Sequence, residues 1–248
     1  MSFSASKGYF LKNGKPYFVI SGEIHYFRLD PKLWEKHLQL LKQSGANTTS
    51  TYIPWDWHEY EENRFDFTGE TNPARNLVKY IKLCKIVGLD LIVKPGPYIL
   101  AEYEAQGLPQ WMLNKVSKNA YAIDENGNVI SPDLMSYMSD EYLSYSFLWY
   151  DKIMPIISEH QASNGGPITM MQVCNEVGVF QWLYGKIDYN ESVIKLYNKF
   201  LVDKYKSIEK LNSTYGTKYS SFEKLSAPVS KIENKQDYCV YYDFHLFY

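Results

Sequence analysis

Short apolar runs and amphipathic stretches alternate along residues 17–178. Each run is a few residues long and follows a turn signal, the form a buried strand takes. The first is Tyr17 to Ile20, after Gly14-Lys15-Pro16. A helix is predicted from about Pro31, a favourable first-turn residue. Its stripe is Trp34, Leu38 and Leu41, and it stops near Gly45. Asn47 to Ile53, rich in Thr, reads as a second strand. Leu77, Ile81 and Cys84 mark a second helix ending at Gly88, and Leu89 to Val93 is a third strand closed by Pro95-Gly96-Pro97. A long connection follows, with a hairpin expected at Asp124-Glu125-Asn126-Gly127-Asn128. The third helix carries Leu143, Phe147, Tyr150 and Met154 on one face, with Pro155 placed to kink it. Gly165-Gly166-Pro167 then leads into a fourth strand, Ile168 to Val173, which gives way to Asn175-Glu176.

Four strand–helix units in series imply a parallel sheet with helices outside it. After the fourth strand the pattern changes. Val193, Leu196, Tyr197 and Phe200 mark another helix, Asn212 to Phe222 is rich in turn residues, and Tyr238, Tyr241, Tyr242 and His245 fit a last amphipathic helix. No second domain boundary, low-complexity tract or linker is evident, so residues 1–248 read as one domain.

Composition narrows the function classes. A net charge of −2 supplies no basic stripe for nucleic acid. Aromatic residues reach 17%, with 23 Tyr, which suits stacking against sugar rings as well as core packing. No stretch is apolar enough to span a membrane, and no secretory signal is expected at the N-terminus. Cys84, Cys174 and Cys239 lack metal-ligand spacing and form an odd set, so free thiols in a cytoplasmic setting are expected. No metal or cofactor is expected: the five His are scattered.

The chemistry-bearing residues gather where the predicted strands stop. They are Ser21 to Tyr26, then Thr51 to Trp55 with His58-Glu59, then Gly96 to Tyr98 with Ala101-Glu102-Tyr103, then Asn175-Glu176. In an α/β barrel such ends converge on one rim. Carboxylates, amides, Tyr and Trp meeting there make a sugar pocket. Asn175-Glu176 fits the acid/base half of a glycosidase site, its amide able to hold a sugar hydroxyl beside the carboxylate. Taken singly, His25 reads as a hydrogen-bonded core histidine, Trp55 as packing, and Glu59, Glu61 and Glu62 as a solvated loop.

Four ordered segments carry a resemblance. SGEIHYFR (21–28), TYIPWDWHE (51–59) followed by FDFTG (65–69), KPGPYILAEYEAQGLPQWML (94–113) and GGPITMMQVCNE (165–176) are similar to those of glycoside hydrolase family 35, the β-galactosidases. The resemblance implies a retaining enzyme acting on terminal β-D-galactosides on a (β/α)8 TIM-barrel-type α/β fold. By it, Glu176 is the general acid/base, Asn175 holds the sugar 2-hydroxyl, and Tyr52, Ala101 and Glu102 line the galactose pocket, Ala101 through its backbone. Glu176 must then be protonated at working pH, for which partial burial and a second carboxylate are expected. Tyr60, Tyr103, Gln106-Gly107 and Cys174 depart from the family pattern at positions that bear on sugar preference more than on reaction class.

The family's nucleophile lies at the end of a seventh barrel strand, and only four strands are read here. Glu191, Glu209, Glu223 and Glu233 follow the motif, but none ends an apolar run. An inverting reaction with Glu102 or Glu23 as base is an alternative, as are a related retaining β-glycosidase of the same barrel clan with a different sugar specificity and a carbohydrate-binding subunit or remnant without turnover. The expected chain is therefore the N-terminal portion of a barrel, closed by further sequence, a second polypeptide or self-association. Residues 1–248 alone should show little or no glycosidase turnover. Robust hydrolysis of a nitrophenyl β-galactoside by this chain, abolished by Glu176→Gln, would contradict that expectation.

Overall fold

The computed structural model describes residues 2–178, 185–225 and 232–248. The chain divides into two compact units, Met1–Lys115 with Ser146–Glu176, and Val116–Tyr145 with Val177–Tyr248.

The first unit opens with an antiparallel sheet of β1 (Phe3–Ser6), β2 (Tyr9–Lys12) and β3 (Lys15–Tyr17). In chain order there follow β4 (Ser21–Glu23), β5 (Thr48–Tyr52), the antiparallel pair β6 (Glu59–Glu61) and β7 (Arg64–Phe65), then β8 (Asp90–Lys94) and β9 (Ile168–Met171). Strands β4, β5, β8 and β9 lie side by side in that order, all parallel, with Glu23 opposite Ser50, Thr49 opposite Leu91 and Val93 opposite Met171. Helices α1 (Trp34–Gln43), α2 (Trp55–His58), α3 (Leu77–Val87), α4 (Gln110–Leu113) and α5 (Asp140–Glu159) alternate with these strands, α5 entering the unit at Ser146. This is the parallel sheet with connecting helices that the alternating pattern predicts.

Local chemistry explains the boundaries. The Asn76 side chain accepts the Lys79 N–H at the start of α3, and Gly88 ends that helix in the left-handed conformation. Every residue of β5 is buried, although four of the five are Thr or Ser, because β-branched Thr suits a pleated strand and two of the three Thr hydroxyls find local acceptors. Thr48 donates to the Asn47 side chain at 2.8 Å and Thr51 to the Tyr52 carbonyl at 3.1 Å. Trp34, Leu38, Tyr80, Ile81, Cys84, Leu91 and Val93 are buried in the core of this unit.

Three expectations are corrected. The apolar run Tyr17 to Ile20 is not the first parallel strand: Phe18 and Ile20 are exposed, and Ser21-Gly22-Glu23 takes that place. Gly22 is suited to it because a Cβ there would lie 2.4 Å from the Leu41 Cδ1 of α1, so the bare backbone lets the helix approach. The buried stripe of α5 is Ser146, Trp149, Ile153 and Ile157, one position off the predicted face, and Phe147 is exposed. Trp149 sets that rotation, filling the core and donating its indole N–H to the Pro95 carbonyl at 2.7 Å. Strand β9 ends at Met171, two residues early, and Val173 is exposed.

The second unit contains the expected hairpin, where Asp124 N–H donates to the Asn128 carbonyl at 2.8 Å and Ile123 bridges Val129. Helices α6 (Glu191–Tyr205), α7 (Ile208–Tyr215) and α8 (Lys235–Phe247) follow. Their core includes Val193, Tyr197, Leu201, Leu211, Tyr215 and Phe244. Helix α7 occupies the start of the segment predicted as turn-rich, because Ser207 caps it, accepting the Lys210 N–H at 3.2 Å. Among the described residues no helix is long and apolar enough to cross a membrane.

Entry into β9 depends on Gly166, where a Cβ would lie 1.7 Å from the His160 carbonyl oxygen. Backbone cannot yield as a side-chain tip can. Gly166→Ala is expected to lower the unfolding free energy by about 3 kcal/mol, read by urea denaturation. A change under about 0.5 kcal/mol would contradict this close approach.

Candidate active site

The second motif builds a rigid support under the strand ends. His58 is fully buried; its Nδ1 donates to the Asp66 carbonyl at 2.6 Å and its Nε2 accepts the Tyr26 hydroxyl. Burial pushes its pKa down to about 4, so it is a neutral structural group at physiological pH. Glu59 is buried as well, accepting the Trp55 indole N–H at 2.5 Å and the Asn63 N–H at 2.8 Å. The expected solvated loop therefore holds only for Glu61 and Glu62, which pair with Arg64 and Lys115. Trp55 packs as expected, its ring 6.1 Å from that of Trp149. Asp66, at the head of the FDFTG stretch, gathers the N–H groups of Thr68, Gly69, Glu70, Thr71 and Asn72 and the Thr71 hydroxyl. Burial alone would raise this carboxyl; the bonds from Thr71, Gly69 and Thr68 outweigh it and hold the group well below the usual carboxylate range.

Tyr52, the last residue of β5, is buried at the centre of the rim. Lys94, ending β8, places its ammonium 4.4 Å from the Tyr52 ring centre and donates to Glu23, which ends β4. The Ser50 hydroxyl also donates to Glu23, at 3.2 Å. Burial pushes the Glu23 carboxyl up, but Lys94, His25 and Ser50 outweigh it and leave the group below its ordinary value. The His25 ring lies 5.4 Å from that of Tyr52, with Nε2 3.8 Å from Glu23. Its Nδ1 is buried with no hydrogen-bond partner among the described residues, unlike the hydrogen-bonded core histidine expected from sequence. The Tyr52 hydroxyl is pushed up by burial first, and then by the negative charges of Glu23, Glu176 and Glu102. Carboxylates at or after three strands, β4, β8 and β9, thus act on the phenol that ends the fourth, β5.

The two loops that bring Glu102 and Glu176 are held in uncommon backbone. Leu100, Ala101 and Glu102 have φ of 52°, 53° and 48°, and Cys174 and Glu176 have 58° and 48°. Each such residue costs about 1–2 kcal/mol relative to ordinary backbone, and runs of this kind persist only where neighbours over-determine them. The neighbours are visible. Cys174 N–H donates to the Gly96 carbonyl at 2.8 Å. Asn175 Nδ2 donates to the Ile99 carbonyl at 3.0 Å, and its Oδ1 accepts Gln172 Nε2 at 2.8 Å. Arg28 donates to the Ala101 carbonyl at 2.6 Å.

The five residues singled out in the sequence therefore occupy one region of one unit. Tyr52 is buried, Ala101 and Asn175 are half-buried, and Glu102 and Glu176 are exposed. The described residues do not supply the partial burial of Glu176 that a general acid was expected to need. The Ala101 carbonyl accepts from Arg28, which fixes the direction of this backbone segment. Sequence reasoning missed Arg28 and Lys94, although both sit inside the quoted motifs, as the last residue of one and the first of another.

Comparison with known proteins bears on the same residues. The sequence family described as glycosyl hydrolases family 35 matches residues 9–238. The chain belongs to this family. It is 69% identical over 243 residues to a β-1,2-glucosyltransferase of Ignavibacterium album, covering 98% of this chain and 34% of that protein. It is 35% identical to an exo-β-D-glucosaminidase of Pyrococcus horikoshii, covering 86% of this chain and 28% of that one. It is 35% identical to a mouse β-galactosidase, with 81% and 27% covered. The chain thus spans about a third or less of the length of these relatives. The crystal structure of a β-galactosidase from the psychrophilic Marinomonas ef1 superposes with a TM-score of 0.66 at 16% identity, over 92% of this chain and 32% of that one. The likeness shows the fold: the parallel sheet and its helices are part of an α/β barrel of the (β/α)8 type.

The Asp66 cradle carries a pH prediction. A carboxyl held below its ordinary value of 3.8 stabilises the fold above that pH and loses the contribution as the pH falls toward the folded value. Asp66→Asn should cost about 1–3 kcal/mol at pH 7, and the gap to the parent protein should narrow below pH about 4. Urea denaturation across this range reads it; an equal gap at every pH would contradict the charged cradle.

Proposed function

We propose that this chain supplies the acid/base half of a retaining β-glycoside site, with Glu176 as the general acid/base. The observation that carries the reading is the gathering of Glu23, Glu102 and Glu176 about buried Tyr52 at the ends of four adjacent parallel strands. Such an edge is where a barrel enzyme holds its substrate.

In this reading a carboxylate nucleophile attacks the anomeric carbon while Glu176 gives its proton to the departing glycosidic oxygen. The Glu176 carboxylate then takes a proton from the incoming hydroxyl, which displaces the enzyme from the sugar. Water as the incoming group gives hydrolysis, and a sugar hydroxyl gives transfer; the acid/base residue serves both. Asn175, Tyr52, Ala101 and Glu102 line the sugar, Glu102 accepting from hydroxyls through its exposed carboxylate. Glu23 is committed to Lys94, so the nucleophile is assigned outside these residues, on the same or a second polypeptide that also continues the sheet beyond its outer strands β4 and β9. The site and its barrel segments belong to one catalytic domain. Free Cys84, Cys174 and Cys239 support a reducing, cytoplasmic setting.

Terminal β-D-galactosides are the substrates that the motif resemblance implies. The 69% identity to a relative named for β-1,2-glucosyl transfer favours a second reading, a β-glucosyl donor with a sugar acceptor. The whole protein containing this chain, assayed on nitrophenyl β-D-galactoside, β-D-glucoside and β-D-glucosaminide with and without free sugars, separates them by rate and product. Turnover of at least one is expected, falling roughly 100- to 10,000-fold in Glu176→Gln. No turnover of any, or turnover indifferent to Glu176, would overturn the assignment.

A further inference from the structure

Something must hold three consecutive non-glycine residues, Leu100, Ala101 and Glu102, in left-handed backbone. Within the segment, Tyr103 N–H donates to the Leu100 carbonyl at 2.9 Å and Ile99 N–H to the Gln106 carbonyl at 3.0 Å. These bonds close the turn on itself and do not fix it to the sheet. From outside come the Asn175 amide on Ile99 and the Arg28 guanidinium on Ala101. Arg28 comes from the loop after β4, seventy-three residues away in sequence. Its guanidinium carbon stands 5.4 Å from the Phe27 ring centre and 6.0 Å from that of Tyr103, whose two rings meet edge to face at 5.5 Å. Burial and the neighbouring carboxyl of Asp56, which follows β5, push the Tyr103 hydroxyl up.

We propose that Arg28 and Tyr103 are positioning residues: a clamp between the β4 and β5 loops that holds the Leu100–Glu102 turn and thereby sets where Glu102 meets the sugar. This rests on the glycoside-site reading above. The planar guanidinium is suited to the task because it lies against aromatic faces while presenting a fixed N–H to the carbonyl. Lysine offers a donor at the same reach and no plane to stack. Tyr103 suits the clamp because its ring meets both the Phe27 ring and the Arg28 guanidinium.

The test uses the whole protein with Arg28→Ala, Arg28→Lys and Tyr103→Phe. In Arg28→Ala, kcat/KM on the preferred nitrophenyl glycoside should fall on the order of 100-fold, mainly through KM, because Glu102 binds sugar and does not transfer the proton. Arg28→Lys should recover part of the loss, and Tyr103→Phe should lose less than Arg28→Ala. Hydrogen exchange at the Ile99, Tyr103 and Gln106 amides should accelerate in step. A purely structural Arg28 would lower the melting temperature and leave both kinetic constants of the folded protein unchanged. Folded Arg28→Ala with KM and kcat within about twofold of the parent would overturn the clamp, twofold being well inside the effect of such a misplacement. Should Arg28→Ala fail to fold, Arg28→Lys decides by the same criterion. Should the parent turn over no glycoside, the functional reading fails, and the exchange rates still decide whether Arg28 holds the turn.

Discussion

Parallel pairing of β4, β5, β8 and β9 is the constraint on which the site depends. Parallel neighbours must run in the same direction, so the residues that follow each strand leave the sheet at one edge. Segments 79 to 153 residues apart in sequence, Glu102 and Glu176 against Glu23, are brought together by the ladder and by nothing local. The ladder rests on unusual material: a Ser-Gly-Glu strand that admits a helix because Gly22 has no side chain, and a buried Thr-rich strand in which the Thr48 and Thr51 hydroxyls are satisfied locally. The Trp149 indole on the Pro95 carbonyl fixes the far end of β8 where the third loop begins.

At that edge the structure separates a buried, hydrogen-bonded support from loops in left-handed backbone. His58, Glu59 and Asp66 are buried and hydrogen-bonded, and each secures backbone or an indole. Above them, Leu100–Glu102, Cys174 and Glu176 hold left-handed backbone. The cost is offset by specific contacts from the neighbouring loops, through Arg28, Asn175 and the Gly96 carbonyl. Polar groups that look alike in sequence thus do opposite work. Glu59 is a core acceptor, whereas Glu102, also after a strand, stands exposed at the rim.

Much of this was legible in the residues. Helical stripes such as Trp34 with Leu38 and Ile81 with Cys84 report burial directly, and the motifs at the strand ends pointed to the region where Glu23, Glu102 and Glu176 act on Tyr52. What escaped had a physical reason. Ser21–Glu23 carries no apolar signal, because its place in the sheet is earned by smallness and by pairing with β5. The face of α5 is decided by one large side chain, Trp149, which outweighs the periodicity of the smaller ones. The burial of Glu59 depends on Trp55 and Asn63 closing over it, a tertiary contact that its three-glutamate neighbourhood hides. Arg28 and Lys94 act through a carbonyl and a ring on other loops, contacts that no local pattern encodes.

The central claim is that Glu176 and Glu102 share one site with Tyr52, and the Tyr52 phenol reports it. Tyrosines labelled at the ring carbon bearing oxygen, with Tyr52 assigned through Tyr52→Phe, can be titrated by NMR in the parent protein and in Glu176→Gln and Glu102→Gln. Burial and nearby carboxylates both raise the Tyr52 pKa, so removing either charge should bring it down toward the ordinary value. A Tyr52 titration unchanged by both substitutions would mean that these carboxylates do not converge on it, and the account of the site would fail.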